Sequence, residues 1–406
     1  YGGGIRLRPQ FLQPVTFMFK FTTLPPLSLY VHIPWCVRKC PYCDFNSHEA
    51  RDGIPERAYV DALLNDLDQE LPGVWGRVVG SIFIGGGTPS LFSAEAVDRL
   101  LAGIRARLKC KPDMEITLEA NPGTVEQGRF REFRAAGINR LSIGVQSFDD
   151  GMLQRIGRIH GRREAIRAAE LAHDAGFNSF NLDLMFGLPD QIPAQAITDL
   201  ATAMDLEPAH LSWYQLTLEP NTYFHRHPPE LPDDDVLATM QKQGQARLAE
   251  RGYTQYEVSA YARAGKQCRH NLNYWQYGDY LGIGAGAHQK ITDAAAQRIR
   301  RSWKVKNPRD YLAGVHSAAR IGGASEPGVE DVVFEFLLNA LRLNDGFETA
   351  LFEQSTGLVF DHLQPALERA QLRGLLEEAA PWRCTEQGRR FLNDLLAEVL
   401  PDHGPA

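Results

Sequence analysis

The chain has little cysteine, little net charge and no long apolar run. Six cysteines in 406 residues are too few to cross-link a disulfide scaffold. Three of them, Cys36, Cys40 and Cys43, fall within eight positions. That clustering points to a metal site, and to a reducing compartment, the cytoplasm. No stretch reaches the ~18 consecutive apolar residues of a membrane-spanning helix. Insertion into a membrane is therefore not expected, and peripheral contact is left open. Forty-three basic and 50 acidic side chains leave a charge of −7. This mild acidic bias argues against nucleic acid as a partner. Hydrophobic residues at 44% and charged residues at 23% are ordinary for a globular chain. The length exceeds one small domain, although a single α/β barrel takes about 250 residues.

The sequence opens on Tyr1. Residues 1–17 lack the basic start, unbroken apolar core and small-residue cleavage site of a signal peptide, and Met18 would serve as a natural start. Residues 1–23 are set apart as an N-terminal tail.

From residue 27 a rhythm begins. Short apolar, β-branched or aromatic runs stand at 27–34, 81–85, 115–120, 140–146, 179–187 and 210–218, each ending near Gly, Pro, Asn or Asp. Helix-like stretches follow them. Thr124 to Ala136 opens on a capping-box pattern, Thr124 with Gln127, and Ala165 to Ala175 is Ala-rich with apolar residues at helical spacing. Strand then helix, six times, calls for a parallel sheet with helical crossovers. The fold class is α/β, either a partial (β/α)6 barrel or an open doubly wound sheet. In both, the active site lies at the C-terminal ends of the strands.

The strongest signal follows the first strand: Cys36-Val-Arg-Lys-Cys40-Pro-Tyr-Cys43. Two metals compete for it. Structural zinc wants four closed ligands, and His32 or His48 could supply the fourth. An iron–sulfur cube on three thiolates leaves one iron open to an outside ligand. A polar Arg-Lys loop is a poor home for three core cysteines without a metal.

A C-x3-C-x2-C loop after a first strand, with an aromatic before the last cysteine, resembles the radical S-adenosylmethionine (SAM) superfamily. The resemblance implies that Cys36, Cys40 and Cys43 hold a 4Fe-4S cluster whose fourth iron binds SAM. An electron from the cluster then breaks a C–S bond to give a 5′-deoxyadenosyl radical. The cofactor carries the hard chemistry and the protein positions it. Tyr42 would pack beside the adenine. Gly85-Gly86-Gly87-Thr88-Pro89 ends the second strand, where glycines would let backbone approach the SAM amino group. Glu119 ends the third strand and could accept from ribose hydroxyls. Gln146 ends the fourth, and Asp183 lies on the fifth. Read singly, such a residue is more often a satisfied polar group than a ligand, but together they share one end of successive strands. Arg158, in RIGRIHGRR, could pair with a carboxylate, although a basic run is usually a solvated face.

LSLYVHIPWC, CPYCDFNSH, IFIGGGTPSL, EANPGT, IGVQSF, GRIH and LDLMFGLP together resemble the oxygen-independent coproporphyrinogen III oxidase family. The match covers nearly all of the chain from about residue 24 and is closest to the family's haem chaperone branch. It implies SAM contacts from Tyr30, Gly86 and Glu119. It also matches Tyr42, Gly87, Thr88, Gln146, Arg158 and Asp183 to SAM-contacting positions, which in the oxidase serve a second SAM. Two departures bear on activity. The oxidase has a fourth cysteine two residues after the third, where this chain has Phe45. And Cys268-Arg-His270-Asn-Leu-Asn-Tyr274-Trp275 resembles the HNxxYW pattern of the chaperone branch. Imidazole is a good axial ligand for haem iron, and aromatics suit a flat macrocycle. His270 is therefore the candidate haem ligand, with Cys268 its rival. The small-residue run Gly282–Gly286 would let backbone approach the ring, and it lacks the spacing of a dinucleotide fingerprint.

A polar link around 305–328 precedes a change of texture. Val332 to Leu343 and Gln364 to Glu378 read as helices, Trp382 to Thr385 as a short strand, and the remainder as a turn and final helix. The order resembles a winged helix, partly acidic at Glu377 and Glu378, which favours a lid over DNA binding. The expected divisions are a barrel over 24–230, a barrel-mouth and haem-binding region over 231–325, and a winged-helix-like domain over 326–406. The resemblance, with the two departures, implies a haem chaperone with a 4Fe-4S cluster, SAM and haem. Its partners would be haem and apo-haemoproteins such as respiratory enzymes, with the oligomeric state open. The alternative is oxygen-independent coproporphyrinogen III oxidase, or another radical SAM enzyme acting on a tetrapyrrole.

Overall fold

A computed structural model describes residues 19–51, 53–123 and 129–397. Six strands, β1 (Leu27–Ile33), β2 (Val78–Gly86), β3 (Lys109–Ala120), β4 (Arg140–Gln146), β5 (Phe180–Phe186) and β6 (His210–Gln215), occupy the six runs expected from the sequence. Each pairs in parallel with the next. The strand order follows the chain order without reversal. A doubly wound sheet reverses at its centre, so this one winds a single way, as a partial barrel.

Burial on both faces explains the apolar composition of the strands. In β1, Leu29, Val31 and Ile33 pack into the main core together with Tyr59 and Leu63 of α1 (Glu56–Val74). The alternate residues Tyr30 and His32 turn inward to line a cavity. Helices α2 (Ala94–Arg107), α3 (Phe130–Ala136), α4 (Arg162–Asp174) and α5 (Pro193–Asp205) cover the next strands. On α4, Ala165, Ala168, Ala169 and Ala172 are all buried, and their small side chains let the helix lie close to the sheet. The capping-box pair Thr124 and Gln127 lies outside the described residues.

Past β6 the same sheet grows at both edges. β7 (Thr254–Glu257) and β8 (Ala260–Ala262) add antiparallel beside β6. On the other side β9 (Asp279–Ile283) pairs in parallel with β1, and β10 (His288–Asp293), β11 (Arg298–Lys304) and β12 (Ile321–Ser325) continue as an antiparallel meander. Among the described residues the order is β12-β11-β10-β9-β1-β2-β3-β4-β5-β6-β8-β7.

Buried charge fastens this extension to α1. Lys304 Nζ lies 2.9 Å from Asp66 Oδ1 and 2.5 Å from Glu70 Oε1. Arg320 Nε lies 3.0 Å from the same Asp66 oxygen, and Tyr311 donates to Asp66 Oδ2 at 2.8 Å. The stretch 305–328 is thus more than a link. It holds a helix, Pro308–Gly314, and the strand β12. Asn307 caps that helix by accepting from the Arg309 and Asp310 amides, a signal the sequence reading passed over. The strand is Gly-rich because it packs against an indole: a Cβ on Gly323 would stand 2.1 Å from the Trp303 ring.

A second core lies at the C-terminal end. It gathers Phe336, Phe352, Leu363 and Leu367 from the helices Val329–Ala340, Thr349–Thr356 and Gln364–Leu372 and the segments between them. The strand expected at Trp382–Thr385 is reduced to single bridges, Phe347 with Trp382 and Leu376 with Cys384. Phe19 and Phe21, from the stretch assigned to the tail, pack in this second core, and the Lys20 amide donates to Gly357 O at 2.7 Å. Tyr277 and Arg301 both reach Glu335 of the Val329–Ala340 helix, at 2.6 and 2.5 Å, and Arg301 thereby ties β11 to that helix. No helix among the described residues is long and apolar enough to cross a membrane.

Candidate cluster and cofactor site

The cysteine loop leaves the end of β1 and is pinched at its base. Trp35–Cys36 pairs in parallel with His48–Glu49, so a loop of fixed ends carries the three thiols. His32 anchors it from inside. Its Nε2 lies 2.9 Å from Asn46 O, and its Nδ1 lies 3.0 Å from the Tyr30 hydroxyl. Both ring nitrogens are engaged, and burial pushes the His32 pKa down to about 4. Asn46 in turn donates to Ala285 O at 3.0 Å and Lys306 O at 2.9 Å, tying the loop to the strands beyond β9.

The three thiols face a cavity of about 520 Å³ at the C-terminal ends of the strands. Its walls include Tyr42, Gly86, Gly87, Thr88, Glu119, Gln146, Arg158 and Asp183. Every residue the sequence assigned to SAM lines this cavity except Tyr30, which lines an adjoining one. Among the described residues no three Cys, His, Asp or Glu side chains converge on a single-ion site. Cys36, Cys40 and Cys43 all line the cavity, so one loop presents three thiols to whatever occupies it. Burial holds the Cys36 and Cys43 thiols above their ordinary range. Iron must therefore displace their protons as it binds.

Two sulfurs already receive hydrogen bonds. Thr88 Oγ1 donates to Cys36 Sγ at 3.5 Å, and Arg158 Nη1 stands 3.7 Å from Cys40 Sγ. The sequence reading missed the side chain that joins them. Asn121 Nδ2 donates to Thr88 Oγ1 at 2.8 Å, while its Oδ1 accepts from Arg158 Nη2 at 2.7 Å. Its place two residues after Glu119, at the same strand end, was the available signal. Tyr214 at the end of β6 was also missed. It donates to Gln146 Oε1 at 2.8 Å, and Gln146 sits in the left-handed region at φ 69°.

The glycine run serves the protein before any ligand. Gly86 has φ 118°, and a Cβ there would stand 2.6 Å from the His32 ring. A Cβ on Gly87 would stand 2.5 Å from Trp35 O. With the backbone so close, the Gly86 amide donates to Glu119 Oε2 at 2.9 Å. Burial, with nearby Asp183 adding to it, raises the Glu119 pKa to about 8. Burial also raises Asp183, which accepts from Ser142 at 3.2 Å and Asn181 at 2.7 Å. Buried acceptors at one end and three thiols at the other are what a cationic, ribose-bearing ligand on a cluster requires.

His270 and Cys268 lie elsewhere. They belong to the helix Arg269–Trp275 and its cap, packed inside the barrel at the N-terminal ends of the strands. His270 is 1% exposed and boxed by the rings of Tyr30, Phe83 and Tyr274. Its Nδ1 pairs with the Ser81 hydroxyl at 3.2 Å, and its Nε2 is buried among the described residues without a partner. Burial pushes its pKa down to about 3. Cys268 is fully buried, its thiol pushed up to about 12 by burial, and donates to Glu115. Neither residue lines the cofactor cavity or the cavity that adjoins it.

A one-way parallel barrel with a three-cysteine loop over a polar cofactor cavity defines a radical SAM protein. The sequence matches the radical SAM superfamily over residues 30–200 and the HemN C-terminal domain over 329–391. Heme chaperone HemW of Escherichia coli is 54% identical over 380 residues, covering 93% of this chain and 99% of that protein. HemW of Haemophilus influenzae is 50% identical with the same coverage, and that of Bacillus subtilis 34% over 92% and 99%. Among solved structures, coproporphyrinogen III oxidase (HemN) of Escherichia coli shares the fold at a TM-score of 0.78. Its identity is 24%, covering 93% of this chain and 91% of that one. The chain belongs to the HemW family of radical SAM proteins.

Proposed function

We propose that this protein is a haem chaperone, which binds haem and passes it to apo-haemoproteins such as respiratory enzymes. The observation that carries this reading is Phe45. It occupies the position two residues after Cys43 at which the oxidase resemblance calls for a fourth cysteine, and it is 57% exposed at the cavity mouth. The names of the HemW relatives support the same reading. Cys36, Cys40 and Cys43 hold the 4Fe-4S cluster. Tyr42, Gly86, Gly87, Thr88, Glu119, Gln146, Arg158 and Asp183, with Tyr30 behind, frame SAM. A reducing cytoplasm suits six free thiols and an oxygen-labile cluster.

The fold shared with HemN supports a second reading, oxygen-independent coproporphyrinogen III oxidase. One anaerobic assay separates them. Cluster-reconstituted protein is offered haem and, separately, coproporphyrinogen III with SAM and reductant. Stable haem binding without decarboxylation supports the chaperone, and formation of protoporphyrinogen overturns it.

A further inference from the structure

We propose that haem docks in the cavity beside the cysteine loop, with His288 as an axial ligand to its iron. The inference deepens the chaperone reading and rests on it.

The cavity, of about 400 Å³, lies between the cysteine loop and the start of β10, and it borders the cofactor cavity. His288 opens β10 and is exposed. Its ring stacks on Trp303 with centroids 5.9 Å apart and planes at 21°, which fixes its direction. Among the described residues it makes no hydrogen bond, so its nitrogens are free for a metal.

The rest of the cavity offers aromatic walls to a flat macrocycle, and its lining carries one cation, Lys306, beside two carboxyl groups, Asp44 and Glu119. Phe45 supplies an exposed ring from the cysteine loop. Tyr274 and Tyr280 meet edge to face at 4.5 Å on the opposite wall. Lys306, exposed on the rim, is placed to meet a propionate. One side is open, as a carrier that must release its cargo requires. The HNxxYW resemblance keeps a part in this arrangement: Tyr274 faces the cavity, while His270 on the same helix turns into the barrel core and holds the helix in place.

The test is haem titration into the full, cluster-reconstituted chain, read by the Soret band and by affinity. His288→Ala should shift the band and weaken binding at least tenfold while cluster absorbance and SAM affinity stay intact. Free imidazole added to that variant should restore the wild-type band. Lys306→Glu should weaken binding severalfold without changing the band. A wild-type band and affinity in His288→Ala overturn the assignment while leaving the chaperone reading standing. A wild-type protein that takes up no haem overturns both.

Discussion

Asn121 and Arg158 are joined by a 2.7 Å hydrogen bond that closes a path between Cys36 and Cys40, two of the proposed cluster ligands. The path runs Cys36, Thr88, Asn121, Arg158, Cys40, and Asn121 touches neither sulfur. Hydrogen bonds to cluster sulfurs stabilise the reduced, more negative state. Asn121→Leu frees Thr88 and Arg158 from their shared partner and leaves all three ligands in place. The cluster midpoint potential should fall by roughly 40 mV, the equivalent of about 1 kcal/mol for one electron. Redox titration followed by electron paramagnetic resonance checks this, and an unchanged potential would show that the path does not tune the cluster.

Replacing any one of Cys36, Cys40 or Cys43 by Ala should remove the brown chromophore and most bound iron. The check is metal analysis of anaerobically purified protein. One tightly held zinc per chain and no iron would restore the zinc site as the better account.

If Glu119 binds SAM as proposed, that binding should depend on pH. Its pKa of about 8 means the buried carboxyl is largely protonated at neutral pH. A carboxyl raised above its ordinary value costs fold stability as pH rises from about 4.5 to about 8. A ligand that needs the carboxylate pulls the proton off, so SAM affinity should rise with pH and level off above about 8. Glu119→Gln should flatten that profile and weaken SAM ten- to a hundredfold, or about 1.5–3 kcal/mol. Calorimetry across pH 6 to 9 reads both, and an equal slope in the variant would exclude Glu119 as the linked group. Gly86→Val is a poorer probe, since the new side chain would collide with His32.

Asp66 bears on the whole second half of the sheet. It is fully buried and accepts from Lys304, Arg320 and Tyr311. Asp66→Ala leaves two buried cations, Lys304 and Arg320, with Glu70 as their one shared carboxylate, and should cost about 3 kcal/mol. Urea denaturation reads that loss. A cost below 1 kcal/mol would mean that β10 to β12 stand without this anchor.

The six barrel strands could be read from the sequence because burial on both faces demands continuous apolar runs, and such runs end visibly. The cysteine loop was legible because its spacing is tight and local. Contacts between distant segments left no such trace. Asn121 looks like any turn residue until the fold brings Arg158, 37 positions on, against it. Nothing local says that the Arg269–Trp275 helix packs His270 among Tyr30, Phe83 and Tyr274. The segment from Asn307 to Ser325 read as a link because its cap is short and its strand holds glycine where apolar alternation is sought.

Phe45 borders both the cofactor cavity and the one beside it. A partition shared by two chambers would let the contents of one bear on the shape of the other. If the cluster and SAM set the position of this ring, haem binds a chamber whose shape depends on what fills its neighbour. Coupling of this kind is reciprocal: whatever free energy SAM contributes to haem retention, haem contributes equally to SAM retention. Loss of the cluster would then loosen the cargo's grip as well, giving the carrier a built-in way to load only when its metal centre is intact.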